Sequence, residues 1–378
     1  MRKSKITIIA IIILMISGVV NLRSQGKVNN FLKEPYLIFN NDVNGMRLMW
    51  QLEKYNNATL YLTQGELGVN DSFFVKEIND EHQFVYNFET LKPNKKYFYI
   101  VKSKSFTRGG SFYSRVDSTA KDFVFYAYGD TRTFPEKHNQ VARQIMLNIA
   151  SDPNSQTFVV STGDLVANGD LEEDWDEQFF DNSFFGIREL MASMPYMVSV
   201  GNHEGQGSLF AKYFPYDLIE QNSFYYSFNY GNTHFTAIDQ FSDLDEDSEQ
   251  YKWLENDLKT SKEDWKIVLI HKPGWTAGGH KNNKAVQRIL QPLFEKYNVK
   301  LVLAGHNHYY ARAMVNGICH ITTGGGGAPL YKPKKSKDKI VIVDESLHFL
   351  KISVDKDKVL IKVIRADGSV IEKFEIKK

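Results

Sequence analysis

At 378 residues the chain is long for a single domain of about 150 residues and has room for two or three units. Hydrophobic residues make up 42% and charged residues 24%, the balance of a globular protein that buries a real core. Lys+Arg 46 against Asp+Glu 45 leaves a formal net charge of +1, which excludes a global field drawing the chain to nucleic acid or to an anionic membrane. An anionic substrate has to be attracted by a local site.

Taken in chain order, Arg2, Lys3 and Lys5 precede the apolar run Ile6 to Val20, and a polar stretch with a small residue at Ser24 follows. A basic start, an apolar core shorter than the ~20 residues of a membrane span, and a small residue after it predict a secretory signal peptide over 1–24. The alternative is an uncleaved anchor. No cysteine follows the run, and nothing later resembles a membrane span. The mature protein is therefore expected to be secreted or periplasmic, with no membrane association after cleavage. The single cysteine, Cys319, excludes an intramolecular disulfide and reads as a small core hydrophobe.

Residues 30–118 read as all-β. Met46-Arg-Leu-Met-Trp50-Gln and Thr59-Leu-Tyr-Leu-Thr63 alternate, with polar turns such as Tyr55-Asn-Asn57 between such runs. Leu91-Lys-Pro93-Asn-Lys-Lys-Tyr97 resembles the tyrosine corner of a fibronectin type III-like sandwich, in which the hydroxyl is tied to upstream backbone. Trp50 is the candidate buried aromatic on the facing strand.

From about residue 121 to 378 the rhythm becomes that of a layered α/β domain. Apolar strands run from Phe123 to Tyr128, Thr157 to Ser161, Met197 to Val200, Trp265 to Ile270 and Lys300 to Ala304. Helical periodicity covers 136–150, 248–258 and 284–297, and the chain closes with strands at 349–354, 359–364 and near Ile371. The Ala366-Asp-Gly368 turn predicts a hairpin between the last two. The Lys-rich stretch 332–339 reads as a solvated loop.

Five of these strands end in Asp, Asn or His, where ligand sites of α/β sheets assemble. The motifs are Gly129-Asp130-Thr-Arg132, Gly163-Asp164, Gly201-Asn202-His203-Glu204, His271, and Gly305-His306-Asn-His308. Carboxylate and imidazole donors without thiolate suit hard and borderline metals. A glycine before a ligand is expected to let the backbone turn off the strand. In this order the motifs resemble the calcineurin-like metallophosphoesterases, specifically the purple acid phosphatase-like branch, which also carries a fibronectin-like sandwich before the catalytic domain.

The resemblance implies a four-layer α/β/β/α sandwich behind the N-terminal β domain. It implies two divalent or trivalent metal ions, of iron, zinc or manganese, held by Asp130, Asp164, Asn202, His271, His306 and His308. Asp164 bridges, Asn202, His271 and His306 hold the second metal, and Asp130 with His308 hold the first. His203 is not a ligand; it serves the departing oxygen as electrostatic stabiliser or general acid. Glu204 is expected to support the site from behind. The implied reaction is hydrolysis of a small phosphate monoester by a metal-bound hydroxide, with Asp164 and His203 as the catalytic groups. A phosphodiesterase and a degenerate secreted binding protein are the alternatives.

The chain departs from the family at two places. Arg132 stands where the usual Asp-x-His motif has His, and Ala167 stands where purple acid phosphatases have a tyrosine ligand. Either the first metal binds with fewer protein ligands, or that site is empty and Arg132 offers its donors to a phosphate oxygen beside Asn202 and His203. A structural ion pair is the plain reading of Arg132. Loss of the tyrosine predicts loss of the purple colour. Trp275 and His280 are candidate rim residues; Tyr309, Tyr310 and the run Gly324 to Gly327 are candidates for another wall, and Asp239 reads as structural.

Overall fold

The computed structural model describes residues 31–40, 45–65, 71–104, 106–216, 223–334 and 339–378. The signal peptide expected over 1–24 lies outside these residues, as does 335–338 of the Lys-rich stretch.

Seven strands come first: β1 (Phe31–Phe39), β2 (Met46–Leu52), β3 (Ala58–Gln64), β4 (Asp71–Val75), β5 (Gln83–Phe88), β6 (Lys96–Ser103) and β7 (Phe106–Tyr113). They form one sheet in the order β1-β2-β5 and another in the order β4-β3-β6-β7. Trp50 of the first sheet is fully buried and stacks on Phe84 at 5.2 Å. Tyr97 of the second accepts a hydrogen bond at its hydroxyl from the Lys92 N–H at 2.9 Å, the upstream tie expected of a tyrosine corner.

The alternating run Met46 to Gln51 lies within strand β2, as expected, but every residue of β2 is buried. The reason is tertiary: the neighbouring β1 is also covered, because the rest of the chain packs on this sheet. Phe39 packs at tilted angles among Phe158, Phe228 and Tyr230. The Tyr36 hydroxyl donates to Tyr213 O at 2.9 Å, and Lys33 Nζ, itself buried, pairs with Glu172 and Asp176 at 2.9 and 2.6 Å. A buried cation persists only when paired in this way.

The remaining strands begin with β8 (Phe123–Tyr128), β9 (Val159–Ser161), β10 (Tyr196–Val198), β11 (Tyr226–Tyr230), β12 (Thr233–Ala237), β13 (Trp265–Leu269) and β14 (Leu301–Ala304). After them come β15 (Tyr310–Val315), β16 (Ile318–Thr323), β17 (Ile340–Asp344), β18 (His348–Val354), β19 (Lys358–Arg365) and β20 (Val370–Lys377). Two sheets result, a six-stranded one in the order β10-β9-β8-β18-β19-β20 and a seven-stranded one in the order β11-β12-β13-β14-β16-β15-β17. β8, β9 and β10 run parallel, as do β12, β13, β14 and β16. β19 and β20 form the expected hairpin.

The sheets pack face to face through aromatic rings, with Phe235 of β12 edge-on to Phe125 of β8 at 5.1 Å. Helix α1 (Pro135–Ser151) covers the outer face of the six-stranded sheet at β18, and α2 (Phe185–Ser193) packs between α1 and strands β1 and β7 of the N-terminal sheets. Helix α3 (Glu249–Thr260), capped by the Ser248 hydroxyl, covers the other sheet. Beside it the segment expected to be one helix over 284–297 opens with a π-helical turn, Val286–Leu290, before α4 (Gln291–Lys296). Along β13, Ile267 and Leu269 enter the core between the sheets, whereas Val268 and the following Ile270 meet Leu254, Leu258 and Leu290 of the helical layer. A strand covered on both faces has to be apolar throughout, which is why it reads as an unbroken run. The result is the four-layer α/β/β/α arrangement. Among the described residues no helix is long and apolar enough to cross a membrane.

Candidate metal centre

The parallel strands of both sheets end on the same side of the domain. β8, β9 and β10 deliver Asp130, Asp164 and Asn202 from one sheet; β13 and β14 deliver His271, His306 and His308 from the other. The six side chains meet across the seam between the sheets. Their loops are zipped to one another: the Asp130 N–H donates to Gly163 O at 2.9 Å, and the Gly305 N–H to His271 O at 2.9 Å.

Glycine is needed at these turns, mostly for a reason other than the expected one. Only Gly163 has the left-handed backbone that favours it, with φ of +90°. Gly201 and Gly305 are required for space, since a Cβ would come within 2.3 Å of Asp164 Oδ1 and 2.4 Å of Asp130 Oδ2, respectively. The unfavourable turn is made by the candidate ligands themselves. Asp130, Asp164 and His306 have φ of 57°, 55° and 66°. Non-glycine residues in this region cost about 1–3 kcal/mol each and persist where the surroundings over-determine them.

Around Asp164, lone pairs face lone pairs. His271 Nδ1 is 2.7 Å from Thr162 O, to which it donates, so Nε2 of the neutral ring is an acceptor. That Nε2 lies 3.3 Å from Asp164 Oδ1, 3.1 Å from Asn202 Oδ1 and 3.2 Å from His306 Nδ1. With Nε2 as an acceptor, the Asp164 and Asn202 oxygens beside it favour a positive charge among these groups, and His306 Nδ1 adds a fourth polar atom to the cluster. Burial opposes a charged His271, but the Asp164 carboxylate outweighs it and raises the imidazole to about 9. Burial would likewise raise Asp164, yet His271 holds it well below the usual carboxylate range. Burial and the neighbouring His271 keep His306 neutral. A divalent cation fits this oxygen and nitrogen set better than a proton, which can bond to only two of the four.

A second group of donors, Asp130, Asp164 and His308, shares Asp164 with the first. His308 Nε2 lies 3.4 Å from Asp130 Oδ1, while its Nδ1 donates to Pro329 O at 2.7 Å. Arg132 points into this group, with Nε 3.6 Å from Asp164 Oδ2 and Nη2 3.5 Å from His308 Nε2. His203 sits alongside but outside both groups. Its Nδ1 donates to Ala167 O at 2.5 Å, and Nε2 is 3.8 Å from Asp164 Oδ2 on a ring left 29% exposed. Ala167 thus serves through its carbonyl.

Glu204 is fully buried behind the centre, and its two oxygens accept from the backbone N–H groups of Asp164, Leu165 and Gly201 at 3.0, 2.7 and 2.6 Å. Burial and Asp164 push this carboxyl up to about 7 while the N–H donors pull the other way. Glu204→Ala would orphan three N–H groups at about 1–3 kcal/mol apiece before relaxation. The expected loss is on the order of 3 kcal/mol, read as a lower denaturant midpoint with unchanged slope.

The rim differs in part from expectation. His280 is there, stacked on His306 at 3.9 Å. Trp275 turns away and meets His320 edge-on at 4.7 Å. Tyr309 and Tyr310 are fully buried: the first ties Ala277 N–H and Gly278 O, the second donates to Glu372. Neither lines the site. Gly324 passes behind Asp130, where a Cβ would meet its Oδ2 at 2.8 Å. Asp239 accepts from Phe241 N–H and the Ser242 hydroxyl, a structural role. Tyr331, which sequence reasoning missed, stacks on His308 at 4.2 Å, and its hydroxyl is 3.4 Å from His280 Nε2. Its position just beyond the glycine run is the only local signal it carries.

Comparisons with known proteins agree with this arrangement. Residues 123–310 match the family described as Calcineurin-like phosphoesterase. The chain is 28% identical over 243 residues to probable purple acid phosphatase 20 of Arabidopsis thaliana, covering 59% of this chain and 53% of that one. It is 26% identical over 351 residues to probable inactive purple acid phosphatase 1 of the same plant, covering 76% and 56%. The purple acid phosphatase PPD1 from yellow lupin (Lupinus luteus) seeds superposes with a TM-score of 0.73 at 20% identity, over 91% of this chain and 74% of that one. The chain spans about half the length of the curated relatives it matches.

Proposed function

We propose, from the premise that this chain belongs to the calcineurin-like phosphoesterases, that it is an exported enzyme hydrolysing small phosphate monoesters with metal held at the strand ends. The observation that supports this most is the convergence of three polar atoms, from Asp164, Asn202 and His306, at 3.1–3.3 Å around His271 Nε2. Asp164, Asn202, His271 and His306 would hold one ion, and Asp130, Asp164 and His308 are the donors for another. When bound, such ions supply a water acidic enough to attack at neutral pH and charge to offset the phosphoryl oxygens.

The chain's own groups do the rest. Asn202 and His203 are read as the groups that would contact the ester, and Arg132 would add donors matched to phosphate oxygens. His203, with Nδ1 fixed on Ala167 O, would act in its doubly protonated form, giving the Nε2 proton to the departing alkoxide and becoming the neutral ring. His280 and Tyr331 wall the opening. Residues 1–24 are read as an export leader, residues 30–118 as the fibronectin type III-like domain, and 121–378 as the catalytic domain. Neither a nucleic-acid nor a membrane partner is expected.

Purified protein treated with EDTA is expected to lose hydrolysis of 4-nitrophenyl phosphate and to recover it with zinc, manganese or iron. The monoester should exceed bis(4-nitrophenyl) phosphate as substrate; the reverse order would make the chain a phosphodiesterase. No turnover of either ester with any of these metals would point to a binding protein, in keeping with the relative named as probably inactive. The iron-loaded protein should also be colourless. Ala167 has no phenol, and the Tyr331 hydroxyl is placed towards His280. An intense visible charge-transfer band would contradict that assignment.

A further inference from the structure

We propose that this chain holds a single metal ion, on Asp164, Asn202, His271 and His306, and that the Arg132 guanidinium takes the neighbouring position as a permanent cation for a phosphate oxygen. The inference rests on the phosphoesterase reading and specifies how that site is charged.

The two donor groups share Asp164 but differ in what already satisfies them. Around His271, no cationic side chain lies among the four polar atoms except by protonating the imidazole itself. Around Asp130 the cation is built in. Arg132 Nε stands 3.6 Å from Asp164 Oδ2, and its Nη2 stands 3.5 Å from His308 Nε2. Because His308 Nδ1 donates to Pro329 O, Nε2 carries the lone pair that a metal would need, and that lone pair already faces a guanidinium N–H. Unlike an imidazole or a lysine, the guanidinium cannot shed its proton to make way for a metal. A divalent ion on Asp130, Asp164 and His308 would sit in contact with a fixed like charge.

The guanidinium is also braced. The Thr131 and Arg132 N–H groups donate to Asp164 O at 3.0 and 3.3 Å. Nη1 donates to the Thr133 hydroxyl at 3.1 Å, and the Thr133 N–H donates to Gln178 Oε1 at 2.7 Å. That same Oε1 accepts from the Ala167 N–H at 2.8 Å, so one glutamine ties Ala167 to Thr133, the residue after Arg132. No further histidine or carboxylate joins this group among the described residues. One donor is left over: Arg132 Nε is buried and makes no hydrogen bond. That Nε faces Asp164 Oδ2 at 3.6 Å, within ion-pair range but beyond a hydrogen bond, so the guanidinium offsets the carboxylate without saturating its own donors.

The test is metal content by inductively coupled plasma mass spectrometry, on purified full-length protein saturated with zinc or manganese and then desalted. One ion per chain is expected for wild type and two for Arg132→His, which supplies an imidazole in place of the guanidinium. Arg132→Met is expected to keep its thermal midpoint within a few degrees of wild type and to bind inorganic phosphate at least about tenfold more weakly, the loss of one charge-assisted contact. Two ions bound by wild type would overturn the inference and leave the phosphoesterase reading standing. Phosphate affinity unchanged in Arg132→Met would overturn the role given to the guanidinium. A wild-type chain that binds no ion at all would overturn the phosphoesterase reading itself.

Discussion

Asp164→Asn is expected to lower kcat/KM for a phosphomonoester by on the order of 10³-fold, because metal-borne charge stabilisation is worth several kcal/mol and each 1.36 kcal/mol is tenfold. Asp164 is the residue common to both donor groups, and it holds three relationships at once. It faces His271 Nε2 at 3.3 Å, approaches Arg132 Nε at 3.6 Å, and accepts the His203 N–H at Oδ1 at 2.9 Å. The amide preserves the shape but removes the charge, and its NH₂ can present a donor where an acceptor is required. The fold should survive, because the backbone turn at Asp164 is held from behind by Glu204. Metal content and activity are therefore expected to fall together while the thermal midpoint moves little. Retention of full activity would remove Asp164 from the mechanism and with it the proposed centre.

The second large effect is expected at His203. His203→Ala should reduce kcat by about 10²–10⁴-fold, the range of general acid catalysis, with metal content unchanged. The separation follows from geometry. His203 Nε2 is 3.8 Å from the nearest Asp164 oxygen and belongs to neither group of converging donors. A general acid matters most when the leaving alkoxide is poor, so the deficit should be larger with an alkyl phosphate than with 4-nitrophenyl phosphate. An equal deficit on both esters would make His203 an electrostatic stabiliser of the phosphoryl group instead. Loss of metal together with activity would make it a ligand, contrary to its place outside the cluster.

Much of this site was legible in the sequence, and the reason is local. An apolar run that stops at Asp130, Asp164, Asn202, His271 or His306 records where a buried strand leaves the core. Parallel strands within a sheet leave it on the same side. The tyrosine corner was legible for the same reason, since Tyr97 reaches only five residues back, to Lys92. The misreadings arose where an outcome depended on distant chain. Met46 to Gln51 alternates, yet both its faces are buried once the rest of the chain packs against the first sheet. Trp275 lies in a glycine-rich loop beside a ligand and still turns to His320, whereas Tyr331 enters the site from the far side of the glycine run.

The sequence by itself determined the chemistry available: carboxylate, amide and imidazole donors at strand ends, an arginine and an alanine where relatives carry ligands, and a histidine spare of any ligand role. Only the tertiary structure decided how that chemistry is charged. Two sheets had to meet before the polar atoms of Asp164, Asn202 and His306 could crowd His271, and before Arg132 could face His308 across 176 positions of chain. Periodicity records the neighbours that one strand or helix gives its own residues. The direction of a lone pair towards a donor from another sheet is fixed by packing alone.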